Sequence, residues 1–485
     1  MAIIPQKSAS TVIVDTILSG GVELFPEPLG VAWAGLPGAN GYIEYTPLNS
    51  GKFKRWAARG FYSKFGKIPG NKAIDDAILT LSGLADQNPP RRVYLRVAYL
   101  GDRVIFDLGD KFVDITGDGW QLTTTPAVPF KRPAGQLALP LPNPQNEKRL
   151  DSLLADLTGL TGEKLTLVTG FTIGTLGPGD YPILALSGEQ GTGKSTLAEL
   201  IKRIVDPNEV NLKSPPRDAE NLSVAASNSW LLTFDNLSSI PDWLSDGLCR
   251  VSSGTGYSTR KFYANDEEVL IKHWRPIIVN GIPELASRGD LADRLISITL
   301  DPLEAIEEKA ALWARFETML PDILAALFDC AAMALRNRDA RLTNTPRLAD
   351  FAHWVEAALP ATWLGSGDFV KTYLANREES AANLLDLSVI GVELEAFSVR
   401  NPNWCGSARE LLDKLTLSAL GTPAGDALKK LSPRGLSNEL RRLAPLLRHA
   451  GIAVEFSDKT SRVNGRVVRP ITITNLAVGA QVNVP

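Results

Sequence analysis

Nine consecutive residues carry the clearest chemistry in this sequence: Gly188-Glu189-Gln190-Gly191-Thr192-Gly193-Lys194-Ser195-Thr196. They fit the pattern GxxxxGK[ST], in which glycines let backbone N–H groups wrap phosphates, the lysine reaches the β and γ phosphates and the hydroxyl reaches Mg²⁺. The pattern requires a strand in front of it and a helix behind it. Tyr181 to Leu186 (YPILAL) reads as the strand and Ser195 to Val205 as the helix, whose N-terminus would then face an anion. ATP is the expected cofactor, with GTP the alternative, and Mg²⁺ the expected metal, with Ser195 as one ligand.

Further along, Trp230 to Phe234 (WLLTF) is an apolar strand ending in Asp235-Asn236. A carboxylate at the end of a buried strand beside a phosphate loop suits a Mg²⁺ ligand, although an Asp there can also simply start a turn. Asn236 stands where a second carboxylate often activates water. Asn cannot take a proton, so either Asp235 polarises the water as well as holding the metal, or hydrolysis is slow. A third strand, Pro276 to Val279, ends in Asn280, whose amide can orient attacking water or sense the γ-phosphate. Arg288 and Arg294 follow in ASRGDLADRLISITL. A guanidinium just before the next strand can supply transition-state charge to a neighbouring subunit's ATP, or serve as an ordinary ion-pair partner.

These groups need a scaffold. At about 150 residues per domain, 485 residues predict about three domains, and 44% hydrophobic with 22% charged residues is the composition of a globular chain. Disorder and collagen-like fibres are excluded. No run of 18 apolar residues and no apolar core after a basic start is seen, so no membrane partner is expected and the cytoplasm of a bacterium or phage-infected host is the expected location. Three cysteines and three histidines, none in CxxC spacing, argue against a zinc site or disulfide framework.

Residues 1–136 read as an α+β accessory domain. Helical spacing covers Phe53 to Phe65 and Lys72 to Ala85, and period-two runs at Arg92 to Leu100, Arg103 to Leu108 and Lys111 to Ile115 suggest an antiparallel meander. A proline-rich strip makes 137–147 a linker. From 148 to 301, short apolar strands alternate with helices, which implies an α/β unit with a parallel sheet. Residues 302–400 read as a helical bundle. In 401–485, helices at Ser407 to Leu417 and Ser437 to Ala450 precede strands at Ile452 to Phe456 and Arg466 to Thr474 around an Asn464-Gly465 turn, so a winged helix is expected.

Together, Gly188 to Thr196, Trp230 to Leu237 and Gly256 to Arg294 resemble superfamily 3 helicases and the related phage and plasmid primase-helicase ATPases of the AAA+ class, most of all the prophage-type ATP-binding proteins of mobile elements. The resemblance implies an α/β P-loop AAA+ motor, with Gly188 to Thr196 as Walker A, Asp235 as Walker B and Asn280 as the sensor. It also implies a ring, commonly a hexamer, with ATP between subunits and an arginine acting in trans. A β hairpin would project into the channel, here Thr259 to Ala264 and Glu268 to His273 around Asn265-Asp266-Glu267. That tip is acidic where the family presents a basic residue, but Lys261, Lys272 and His273 on its flanks remain DNA candidates.

From Asp426 to Arg469, ten basic residues face four acidic ones in a chain of net charge -3. Such a reversal on a helix and wing suits DNA phosphate, with Arg441, Arg442, Arg448, Arg462 and Arg466 as candidates, or it is the wet face of an amphipathic helix. The expected function is an ATP-driven ring DNA helicase of a mobile genetic element, with single-stranded DNA in the channel and duplex at the winged helix. The alternative is a non-translocating AAA+ replication initiator or loader, or a regulatory DNA-binding ATPase. A small-molecule P-loop kinase would leave the C-terminal half without a role. No carboxylate triad for primer synthesis is visible in 1–147, so a separate primase would be a partner.

Overall fold

Apolar strands without polar alternation are stable only when both their faces are covered. In the computed structural model, which describes residues 7–38, 42–260, 268–281, 289–303, 307–340, 342, 345–386, 388–463 and 466–476, four such runs form one parallel sheet. Its strands are Ile183–Gly188, Leu232–Leu237, Ile277–Gly281 and Leu295–Leu300. Their spatial order is fourth, first, third, second, with Ile277 opposite both Ile183 and Leu232, and Leu295 opposite Ile183.

Side-chain alternation divides this sheet between two cores. Leu184, Leu186, Ile278, Ile296 and Ile298 join a core shared with Leu153, Phe171, Ile201 and Phe328. Ile183, Ala185, Leu232, Phe234, Ile277 and Val279 join another, shared with Leu248 and with Leu411, Leu440 and Ile473 of the C-terminal region. The C-terminal region therefore shares a core with the sheet it follows.

The first core is centred on helix Lys309–Arg336, which is long and apolar enough to cross a membrane by composition alone. Its most apolar window is 67% buried within the protein, with Phe316, Ile323, Leu327 and Phe328 fully inside, as in a core helix of a globular chain. Helices Ala349–Ala358, Asp368–Asp386 and Val389–Arg400 complete this helical stretch.

The N-terminal region is not one unit. Helices Ala9–Ser19, Gly51–Phe65 and Asn71–Ala85 pack with the three-stranded sheet Glu23–Pro26, Ala32–Pro37, Ile43–Pro47 in a core of their own. The expected meander is present at Val97–Tyr99, Arg103–Asp107, Phe112–Thr116 and Gly119–Thr123, but its Val104, Phe106 and Val113 belong to the core of the parallel sheet. Its first strand is shorter than the run Arg92 to Leu100 suggested, because Arg96 takes the left-handed region (φ 50°) to aim its guanidinium inward. The expected linker is tied down: Leu139 N–H donates to Leu108 O at 2.7 Å, and Asn143 N–H to Pro321 O at 3.0 Å.

The C-terminal residues run strand Asn403–Gly406, helices Ala408–Ser418, Pro423–Lys429 and Pro433–His449, strand Ile452–Phe456, a hairpin of Ser461–Val463 with Arg466–Val468, and strand Ile471–Asn475. The last strand lies between the other two long ones. Arg466 to Thr474 is thus two strands, not one. Pro470 has no N–H to donate to a ladder, and the chain leaves the hairpin there to join the three-stranded sheet. The Asn464-Gly465 turn lies outside the described residues.

Candidate functional site

The glycine pattern forms a turn between strand Ile183–Gly188 and helix Lys194–Val205. Gly188, Gly191 and Gly193 have φ of 136°, 87° and 83°, a region that side chains rarely occupy. At Gly188 a Cβ would also meet Leu300 O at 2.6 Å, so two constraints require glycine there. Gly193 stands at the helix N-cap without a side-chain cap, which leaves the first-turn N–H groups available to an anion. Thr192 Oγ1 donates to Glu189 O at 3.0 Å and pins the loop from inside. Lys194 Nζ donates to Gly188 O at 2.9 Å and Glu189 O at 2.6 Å, closing the loop over the place an anion would enter. Glu189 and Gln190 are exposed at its rim, and Thr196 lies one residue into the helix beyond Ser195.

Asp235 reaches this loop because its strand is irregular. Phe234 pairs with Val279 but Leu237 pairs with Gly281, so Asp235-Asn236 carries one residue more than its partner, and Asn236 sits at φ 60°. Such a bulge re-aims a side chain. Ser195 Oγ donates to Asp235 Oδ1 at 3.0 Å, and Asn280 Nδ2 donates to Ser195 Oγ at 2.9 Å and to Asp235 Oδ1 at 2.5 Å. Asn280 is 2% exposed, whereas Asn236 faces outward. Three polar side chains from three adjacent parallel strands or their loops thus meet at the carboxyl edge of the sheet, where the neighbouring first and third strands send their connections in opposite directions and open α/β sheets bind ligands.

This trio suits a small hard cation. Two oxygens in adjacent positions of an octahedral Mg²⁺ shell lie about 2.9 Å apart, and Ser195 Oγ and Asp235 Oδ1 are 3.0 Å apart. Among the described residues no group of three or more His, Cys, Asp or Glu side chains could hold a metal ion.

Arg294 lies at the other end of the sheet. Its carbonyl accepts from Ile183 N–H at 2.8 Å, whereas the loop begins at Gly188, opposite Leu300. Five residue rises separate the ends, about 16 Å. Arg294 therefore does not serve its own chain's loop. Its Nε is buried and has no hydrogen-bond partner among the described residues. Arg288 lies outside the described residues.

The DNA candidates have differing surroundings. Lys261 is outside the described residues, and nothing is described of the side chain of Arg466. Lys272 Nζ lies 4.5 Å from the Trp274 ring centroid. His273 Nε2 is 3.0 Å from Ser227 Oγ, and burial, with Arg275 and Lys131 nearby, pushes its pKa down to about 3. A ring held neutral can exchange hydrogen bonds but brings no charge to a phosphate. Arg441 stacks on Phe456 (4.4 Å to the centroid), and Arg442 Nη1 pairs with Glu439 Oε1 at 3.2 Å. Arg448 and Arg462 are exposed.

Two clusters escaped the sequence reading. Asp293 accepts from Arg347 Nη1 at 2.9 Å and Arg377 Nη2 at 3.2 Å, beside Arg294. Buried Asp206 accepts from Lys202 Nζ at 2.6 Å and Arg96 Nε at 3.3 Å. Lys202 and Asp206 at i, i+4 were a readable signal; Arg96 and the arginines of Asp293 lie far away in sequence and gave none.

Fold and site define a mixed α/β protein with a parallel sheet and a polar cluster at its carboxyl edge, followed by a helical region. Residues 150–379 match the model of the Actinomycete integrative conjugative element replication protein, and residues 389–481 match the AICE RepA C-terminal domain. The two matches take up about two thirds of the chain, and the chain belongs to the replication proteins of actinomycete integrative conjugative elements. Among solved structures, it is similar to the A form apo structure of the NrS-1 C terminal region at 12% identity, covering 97% of this chain and 100% of that one with a TM-score of 0.39. A second form of that region, residues 305-718, gives 14% identity, 95% and 98% coverage and a TM-score of 0.38. No curated protein matches.

Proposed function

We propose that this replication protein is an ATP-hydrolysing ring motor that acts on DNA as a helicase of its mobile element. The observation that carries this reading is the meeting of Ser195, Asp235 and Asn280 beside the loop closed by Lys194. In this reading residues 148–301 are the AAA+ P-loop motor, 302–400 its lid, and 401–485 a winged helix that holds duplex DNA through Pro433–His449. The strand order of the C-terminal sheet, with the hairpin as the wing, supports the last point.

Gly188 to Thr196 bind the triphosphate, with Lys194 exchanging its two carbonyl contacts for phosphate oxygens. Bound Mg²⁺, held by Ser195 and Asp235, would neutralise charge on the β and γ phosphates. Asn280 fixes the Asp235 carboxylate through its amide and stands where it can also orient the attacking water. Arg294, remote from its own loop and with Nε unpartnered, supplies a guanidinium to the ATP of the adjacent subunit in a ring, commonly of six.

Steady-state ATP hydrolysis, with and without single-stranded and forked DNA, together with the mass in solution, tests this. DNA-stimulated turnover by a ring-sized particle, abolished in Lys194→Ala with its fold intact, is the expected result. Wild-type turnover in Lys194→Ala would remove the site assignment. Asn236 favours a second reading, a non-translocating initiator or loader, because the bulge carries an amide where a proton acceptor would speed turnover. Duplex binding with slow, DNA-independent turnover and no strand displacement would select it.

A further inference from the structure

The N-terminal region outside the two family matches concentrates positive charge in one segment. Between Thr46 and Ile74 there are seven lysines and arginines and no acidic residue, in a chain whose net charge is -3. Most of them lie on or just beyond helix Gly51–Phe65, which starts at Ser50, whose Oγ accepts from Phe53 N–H at 3.1 Å. Phe53, Ala57 and Phe61 bury one face of this helix against Ile13, Ile17 and Leu81. Lys52, Arg55, Arg59 and Tyr62, at i, i+3, i+7 and i+10, must then lie on the opposite face.

Lys52 is paired with Glu44 and Lys54 with Asp75, but no ion pair engages Arg55, Arg59 or Lys67 among the described residues. Beside these cations two rings are open to solvent, Tyr62 at 57% and Phe65 at 41%. The Phe65 ring is held in place by buried Phe61, 5.0 Å away between centroids, and Lys64 Nζ sits 5.6 Å from it. Exposed rings beside guanidinium groups without ion-pair partners among the described residues suit a chain that offers both phosphates and free base faces. A duplex hides its base faces, and a protein partner would have to neutralise several cations to use the rings.

We propose that this face of helix Gly51–Phe65, with Arg55, Arg59 and Tyr62, and with Phe65 at the edge of its last turn, is a binding surface for single-stranded DNA, distinct from the nucleotide loop and from the C-terminal domain. The arginines take phosphates and the rings stack bases. It would hold a strand on the accessory domain whether or not the protein hydrolyses ATP.

The test is the anisotropy of a labelled oligothymidylate on the full-length protein without nucleotide, over a range of salt. Arg55→Gln/Arg59→Gln should weaken binding and reduce the slope of log K against log salt by about 1.4, two phosphates at about 0.7 each. Tyr62→Ala should weaken binding about 5- to 150-fold with the slope unchanged, because a stacked base releases no counterion. Duplex of equal length should bind the wild type and both variants alike. An unchanged slope in the arginine variant overturns the proposal, as does an equal loss of duplex binding or a change in oligomeric mass alone. Photo-cross-linking of the wild type to the same oligonucleotide provides a readout without substitution: peptides from 51–67 are expected, and cross-links confined to other regions would overturn it.

Discussion

His449 Nε2 lies 3.4 Å from Asp293 Oδ1, so the last turn of the basic C-terminal helix touches the residue that precedes Arg294. The same carboxylate binds Arg347 and Arg377, from two other segments of the helical region. In the proposed reading, in which this helix holds duplex DNA, a shift of the helix would reach Asp293 through this contact. Arg294, one residue on, would move with it.

Asp293→Asn tests that coupling. Arg377 is 10% exposed and loses its anionic partner, which should lower stability by about 1–3 kcal/mol. Thermal unfolding measures this. Duplex DNA should also change ATP turnover less in the variant than in the wild type, while turnover without DNA persists. Equal stability together with equal DNA response would leave Asp293 with no coupling role.

Arg294→Ala alone should turn over ATP poorly. Mixed with an excess of Lys194→Ala subunits it should recover activity, since an intact loop on one subunit can face an intact arginine on the next. Because Arg294 lies far from its own loop, the ATP it serves in the proposed ring is that of another subunit. A mixture no more active than the sum of its parts would rule out action in trans.

Asn280→Ala removes the donor that holds Asp235 in place. Turnover should fall about 100-fold or more, the scale for loss of one preorganised donor. Nucleotide affinity, measured by equilibrium binding, should change little, because the loop N–H groups and Lys194 remain. A loss of affinity with turnover per bound nucleotide intact would assign Asn280 to binding instead.

The loop, Asp235 and Asn280 were legible because each is local: a fixed spacing, or a polar residue at the end of an apolar run. Their convergence could also be expected, since parallel strands bring their carboxyl ends to one edge. The bulge that aims Asp235 was not legible, because Asn236 tolerates the left-handed region but Asn is as common in turns and caps, so its presence alone does not announce a bulge. The division of the N-terminal region between two cores was hidden for a related reason. Period-two alternation in Arg103 to Leu108 reports a strand with a buried face but not which helix covers it, and here Phe106 packs against Phe328, 5.1 Å between centroids.

Asp206 joins these parts. Burial alone would raise its pKa, but Lys202 and Arg96 outweigh that and hold the carboxyl below the usual range. Arg96 also donates to Asp107 O and Leu137 O at 2.7 Å each, so one buried cluster ties the meander, the former linker and the helix behind the loop. Asp206→Asn should cost about 3–5 kcal/mol, the penalty for leaving buried cations unpaired. Denaturant unfolding measures it, and a loss under 1 kcal/mol would show that Lys202 and Arg96 are compensated elsewhere.

The burial of His273 beside Arg275 and Lys131 sets the sign of a pH dependence. Its folded pKa, lowered to about 3 by burial with Arg275 and Lys131 adding repulsion, lies below the value of about 6.5 in an unfolded chain. Between those values the unfolded state binds a proton that the folded state does not, so stability rises with pH and is lost as pH falls below about 6.5. The limit is about 1.4 kcal/mol per pH unit, and partial exposure of the ring brings the real slope under it. Comparison with His273→Gln, which keeps a polar partner for Ser227 and has no proton to gain, isolates the contribution from the carboxylates that titrate lower. From pH 7 to pH 5 the wild type should lose stability relative to the variant, while between pH 7 and pH 8 the two should run parallel. Parallel curves down to pH 5 would mean that His273 protonates as readily in the fold as out of it.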